Sequence, residues 1–241
     1  MILQLCRDYI LTFPYNLYCN CLNSYQRHFQ NQPYFENRGT KLSPTLVFIH
    51  GRNGAPIDFK YYFKKFIDYN YIAIQLNNDF NIYCQAFQLN DFLRNYFTDN
   101  DNNGIIFIGM SKGGLVGLTA AAYTDLRIIK IITIGSPLRG TDVAKFASDK
   151  ISRQELISNS PITNDIYSLT FKNSVMEGYY DVHNIYCRYD YLVVPIYHGY
   201  YENIGTKTEI NSLCGHMGLL LNNKVVTTIL DVIKDYTISH I

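Results

Sequence analysis

One serine stands among glycines in the stretch IIFIGMSKGGLVGLTAAA, residues 105–122. Before it the chain is apolar and β-branched. After it comes an alanine-rich run with helical spacing. Gly109-Met110-Ser111-Lys112-Gly113 is thus a G-x-S-x-G at the junction of a buried strand and a helix, a context that makes a common pattern specific. So tight a turn forces Ser111 into a strained backbone, and residues two positions to either side clash if they carry a Cβ. Glycines at 109 and 113 meet that demand. The hydroxyl then projects above the sheet at a helix N-terminus, where free N–H groups and the helix dipole favour a developing anion. The competing reading is a glycine-rich turn with an incidental serine.

A serine hydroxyl has too high a pKa to attack an ester unaided; it needs a base, and the base needs an orienting acid. Both follow in the order Ser, Asp, His. Asp190, in YCRYDYLVVP, lies just past a strand-like run, and His216, in LCGHMGLL, just past the last such run. Asp181 is the main rival acid, with Asp165 behind it, and a solvated loop carboxylate is the bland reading of Asp190. His183 and His198 are weaker bases because neither follows the final strand, and a capping or core histidine is the bland reading of His216. An oxyanion needs two backbone donors. One is the N–H of Lys112, the residue after the serine; the other is assigned to Arg52, in the loop IHGRNG after the first long strand. The Arg52 side chain plays no part in that role. It is either a surface arginine or a contact for an acidic head group.

Apolar strand-like and amphipathic helix-like runs alternate around these residues. Strands are expected at 45–50, 71–76, 104–109, 128–137, 184–195 and 207–213, and helices at 57–69, 82–97, 111–124 and 217–236. Strands apolar on both faces, separated by helices, mean a mostly parallel sheet covered on both sides. Residues 1–43 read as an N-terminal helix with an irregular lead-in, and 44–241 as one α/β domain. Residues 141–181 hold helical patches but no strand run. They are expected to form a cap or lid over the C-terminal edge of the sheet, where ligands sit in open α/β folds. Its inner face is expected to carry Phe146, Leu156, Ile157, Leu169 and Phe171. The competing reading is a fixed structural insertion.

Composition narrows the function classes. The chain has 241 residues and a net charge of +1, which gives no electrostatic case for nucleic acid. The 22 tyrosines are scattered and follow the asparagine-rich background rather than marking a surface. Cys6, Cys19, Cys21, Cys84, Cys187 and Cys214 contain no CxxC pair, so they read as buried or idle thiols in a reducing compartment. The N-terminal run MILQLCRDYILTFPY lacks a basic leader and is interrupted by Arg7 and Asp8, which points to a cytoplasmic protein.

These motifs in this order resemble the α/β-hydrolase superfamily, and within it the lipase and esterase branch with an HG-x oxyanion loop. The resemblance rests on IHGRNG, IGMSKGG, ITIGSPLRGT, YDYLVVP and CGHMGLL, and spans roughly residues 44–236. It implies an α/β-hydrolase fold with a helical cap insertion, a triad of Ser111, Asp190 and His216, and Arg52 and Lys112 as oxyanion donors. The activity implied is hydrolysis of carboxylic esters through an acyl-enzyme, with no metal or organic cofactor. The implied partner is an ester or lipid substrate, the cap being a candidate for peripheral membrane contact. Lys112 departs from the more usual His or Met-like residue after the serine. The alternatives are a thioesterase or lipid-anchor deacylase using the same machinery, and a silent binding module on the same fold.

Overall fold

A computed structural model describes residues 34–39, 41–97 and 104–238. The expected N-terminal helix, Cys6, Cys19, Cys21 and most of the polar turn near residue 100 lie outside the described residues.

Seven strands form one sheet: β1 (Tyr34–Asn37), β2 (Lys41–Ile49), β3 (Tyr69–Ile74), β4 (Ile105–Met110), β5 (Ile128–Ile134), β6 (Asp181–Cys187) and β7 (Thr206–Ile210). Their order across the sheet is β1-β3-β2-β4-β5-β6-β7. Only β1 runs antiparallel, on β3; all other pairs are parallel. The mostly parallel α/β expectation is met. The edge strand β1 is an addition, since the polar sequence YFEN carries no apolar alternation to announce it.

Both faces of the central strands β2 to β5 are buried, as their unbroken apolar runs require. Along β2, Leu46 and Phe48 point to one core and Val47 and Ile49 to the other. The first core is closed by the short helix α1 (Lys60–Phe63), through Tyr62 and Phe63, with Phe66 beside it. The second is closed by α2 (Ile82–Tyr96) and α3 (Lys112–Ala122), through Leu89, Leu93, Leu115 and Val116. Each such side chain, fully buried, contributes about 1.5–3 kcal/mol. These layers, rather than surface ion pairs, hold the strand ends in place.

The chain between β5 and β6 divides in two. The helix α4 (Lys150–Leu156) and the 3₁₀ turn Asp142–Phe146 lie at the C-terminal edge of the sheet. The helix α5 (Pro161–Thr170) instead packs on α3 and carries Ile166 into the second core, so it is the crossover helix that a parallel β5–β6 connection needs. The last helical run is also split. After α6 (Gly215–Gly218) and the 3₁₀ turn Leu219–Leu221, the chain turns extended at Asn222 and restarts as α7 (Asn223–Ile238). The Asn222 Oδ1 accepts the N–H of Lys224 at 2.8 Å, a cap that the apolar periodicity through this region hides. Val225, Ile229 and Ile233 of α7 finish the first core. Among the described residues, no helix is long and apolar enough to cross a membrane.

The sheet's own histidine gives a pH signature. His183 on β6 is buried, with Nδ1 2.6 Å from Thr206 Oγ1 and Nε2 3.0 Å from Thr208 Oγ1. Burial, reinforced by Lys130, lowers its pKa to about 4. Above the unfolded value of about 6.5, both states hold a neutral ring and nothing changes. Below it the unfolded chain takes up a proton that the native chain refuses, so stability falls with pH until about pH 4. The urea midpoint is expected to drop between pH 7 and pH 5, and to drop less in His183→Gln.

Candidate active site

Four chain segments leave the same edge of the sheet and bring the candidate residues together. Ser111 follows β4, the loop His50-Gly51-Arg52 follows β2, Asp190 follows β6, and His216 follows β7. Parallel registry makes this coincidence: Ile49 pairs with Gly109, Met110 with Ile134, and Cys187 with Ile210.

Ser111 sits at φ 54°, ψ −125°, a backbone that side-chain-bearing residues rarely adopt and that persists only when its surroundings over-determine it. The surroundings do so. A Cβ on Gly109 would come within 2.5 Å of the Gly113 carbonyl oxygen, and one on Gly113 within 2.2 Å of the Ile49 oxygen. The expectation for these glycines holds. Gly114 is a third such position, where a Cβ would meet Ser136 Oγ at 2.1 Å. Its role comes from β5 packing on the helix start, which the local motif does not contain.

Asp190 and His216 are both buried, with His216 Nδ1 donating to Asp190 Oδ2 at 2.7 Å. The other carboxylate oxygen, Oδ1, accepts the backbone N–H groups of Leu192 at 2.8 Å and Val193 at 3.0 Å. These bonds make a turn of residues 190–193. Together with the turn before it, closed by the Asp190 N–H on the Cys187 oxygen at 3.2 Å, it keeps β6 from running to 195 as its apolar sequence suggests. With Nδ1 donating, His216 keeps Nε2 free to accept a proton. Ser111 and His216 border one cavity of about 300 Å³, walled by Leu156, Leu192, Val193 and Leu220 among others.

The rival residues lie elsewhere. Asp181 opens β6 at the opposite end of the strand, three-quarters exposed and 3.4 Å from Lys130 Nζ. Asp165 is exposed on α5. His183 is held by threonines of β7, and His198 Nδ1 donates to the Gly140 oxygen at 2.9 Å. His50 serves the loop next to the serine. Its Nε2 accepts the N–H of Leu76 at 2.9 Å, so Nδ1 carries the proton and donates to the Gly51 oxygen at 2.8 Å.

The loop after β2 passes close to the serine. A Cβ on Gly51 would lie 3.0 Å from Ser111 Cβ and 3.1 Å from the Met110 oxygen, so a side chain there would press on the turn at the serine. The Arg52 guanidinium turns away to Asp149, 2.5 Å off, and the pair is about a third exposed. Such a pair contributes roughly 0.2–1 kcal/mol. Lys112 differs. Its side chain is almost fully buried, with Nζ donating to the Phe80 oxygen at 2.9 Å and lying 3.3 Å from Glu155 Oε2. Glu155 Oε1 accepts the N–H of Ile82 at 2.7 Å. Burial is the larger influence on Lys112 and lowers its pKa despite the nearby carboxylate. Removing one member of such a buried pair costs about 3–5 kcal/mol, because the charge left behind is buried without a partner. Glu155 was missed from sequence; within SRQEL nothing distinguishes it from a solvated glutamate.

Of the five apolar residues expected on the inner face of the cap, Phe146 and Leu156 reach the cavity. Ile157 is 40% exposed, Leu169 is half-buried on the crossover helix α5, and Phe171 packs against the second core.

No protein-family model matches the sequence, and no curated protein matches it. Solved structures do. A lipase-esterase related protein from Clostridium acetobutylicum ATCC 824 superposes with a TM-score of 0.60 at 18% identity, over 84% of this chain and 98% of its own. An α/β-hydrolase enzyme from the metagenome of sediments of the Mar Chica lagoon, Morocco, also gives 0.60, at 16% identity, over 85% and 95%. An esterase from Exiguobacterium antarcticum gives 0.58 at 14% identity, over 83% and 94%. The chain has the α/β-hydrolase fold.

Proposed function

We propose that this protein is a serine hydrolase of carboxylic esters. The observation that carries the reading is the buried Asp190–His216 hydrogen bond at the same cavity as a strained, glycine-flanked Ser111. The esterases among proteins of this fold support it. In the proposed cycle, Ser111 Oγ attacks the acyl carbon while His216 Nε2 takes its proton. Asp190 keeps the imidazole in the tautomer that can accept it and stabilises the cation formed. The tetrahedral oxyanion is held by the N–H groups of Arg52 and Lys112, the latter at the start of α3, where the first helical N–H groups have no partner within the helix. Collapse expels the alcohol, which takes the proton from His216. Water, deprotonated by the same histidine, then attacks the acyl carbon; the bond to Ser111 Oγ breaks, Oγ takes the proton back from His216, and the acid leaves.

The acyl side of the substrate is proposed to fill the cavity, whose walls include Val143, Leu156, Met217 and Leu220. Phe146, 74% exposed at its rim, suits an apolar substrate or a lipid surface there. A volume of about 300 Å³ is at the small end for ligand sites, which favours short acyl chains. The test is a series of p-nitrophenyl esters graded from acetate to palmitate, with Ser111→Ala as blank. Turnover is expected to peak at short chains. Serine-dependent turnover of thioesters in preference to the matched esters would move the reading to a thioesterase. No labelling of Ser111 by a fluorophosphonate would move it to a silent module.

A further inference from the structure

The two backbone donors assigned to the oxyanion belong to residues whose side chains reach the same short helix. Arg52 meets Asp149, which also caps α4 by accepting the N–H of Ser152 at 2.6 Å. Lys112 meets Glu155 near the other end of α4. Glu155 is buried, and its two oxygens serve different elements: Oε1 takes the N–H of Ile82 at the start of α2, and Oε2 faces the Lys112 ammonium. The ammonium is fixed from a third side by the Phe80 oxygen. One carboxylate thus ties together the turn after the serine, the first turn of α2 and the helix whose Ser152 and Leu156 wall the cavity.

A lysine after the serine has no role in acyl chemistry when its ammonium points into protein. It can act through its own backbone. The Lys112 N–H stabilises an oxyanion only if it is aimed at a point in space before charge develops, since preorganised donors gain their effect by not having to reorient. A side chain clamped at its far end by a buried charge restricts the peptide that carries it. Resting on the hydrolase reading above, we infer that Glu155 is a positioning residue: by holding Lys112 Nζ and the Ile82 N–H together it fixes the Lys112 N–H and clamps α4 over the cavity as one rigid unit.

This makes α4 a fixed wall rather than the mobile lid that the sequence suggested. Opening such a lid would carry Glu155 away with α4 and separate it from the buried Lys112 ammonium, and that cost makes opening rare.

The experiment compares wild type, Glu155→Gln, and Lys112→Met with Glu155→Met in one chain. Glutamine can still accept the Ile82 N–H, while its amide nitrogen, a donor, replaces the carboxylate oxygen that faced the Lys112 ammonium. On a short p-nitrophenyl ester, Glu155→Gln is expected to lower kcat by roughly 10- to 100-fold with KM changed less than about twofold, because an oxyanion donor acts in the transition state. A trifluoromethyl ketone, which adds Ser111 to form a tetrahedral adduct, is expected to lose affinity by the same factor. The double variant replaces a buried ion pair with apolar volume, so it is expected to fold even where the single does not, and to keep a low kcat. Limited proteolysis is expected to leave residues 142–157 of the wild type uncut while cleaving them early in Glu155→Gln.

Three outcomes overturn the inference. The first is an active wild type with kcat and ketone affinity unchanged in Glu155→Gln. The second is a double variant that recovers full kcat along with its thermal stability, which would make the pair a prop for the fold alone. The third is an early wild-type cut within 142–157. A wild type that neither labels with fluorophosphonate nor hydrolyses any ester of the series is a different result: it removes the hydrolase reading, and the positioning role with it.

Discussion

Ser111→Ala and His216→Ala are each expected to lower kcat on a short p-nitrophenyl ester by about 10⁵- to 10⁶-fold, and the double variant scarcely further. The reason is that nucleophile and base act as a unit: without the hydroxyl there is no proton for His216 to accept, and without the imidazole the hydroxyl is not a nucleophile. The two variants should part in stability. Alanine at 111 keeps a Cβ where serine has one, so the strained turn and its glycine neighbours are unaffected. Alanine at 216 leaves Asp190 Oδ2 buried without its 2.7 Å donor, and a lower thermal midpoint is expected for that variant alone. Equal stabilities would mean that Asp190 finds another donor. Losses that multiply in the double variant would separate the two residues mechanistically and count against a shared step.

What could be read from the sequence was what short-range chemistry dictates. The turn at Ser111 is local: two glycines, a strand before and a helix after contain the whole steric argument. The parallel sheet followed from unbroken apolar runs such as TLVFIH and GIIFIG, because only a strand buried on both faces tolerates them. Asp190 and His216 could be placed at one edge because each follows a strand, and strands in a parallel sheet end on the same side. What escaped was set by partners distant in sequence. Glu155 meets Lys112 and Ile82 across gaps that no pattern in SRQEL encodes. Gly114 is required by Ser136, and β1 by the free edge of β3. The ends of β6 and of the last helix were misjudged for a different reason: at Asp190 and Asn222 a polar side chain captures backbone N–H groups and ends a run that hydrophobic periodicity alone would extend.

That capture at Asp190 makes one substitution unusually informative. In Asp190→Asn the backbone donors of Leu192 and Val193 still demand an acceptor at the Oδ1 position, so the amide oxygen is held there. The amide nitrogen must then take the place of Oδ2, facing His216 Nδ1. It can only donate. His216 Nδ1 becomes an acceptor, the ring proton moves to Nε2, and the nitrogen facing the serine can no longer take a proton. A loss in kcat of roughly 10³- to 10⁴-fold is expected, with the turn intact and KM little altered. Asp181→Asn removes only an exposed partner of Lys130 at the far end of β6, and is expected to change kcat less than about twofold. Steady-state kinetics on the two purified variants decide between them. A large loss at Asp181 with a small one at Asp190 would mean that the acid acts from the wrong end of the strand, which the parallel registry of β5, β6 and β7 does not allow.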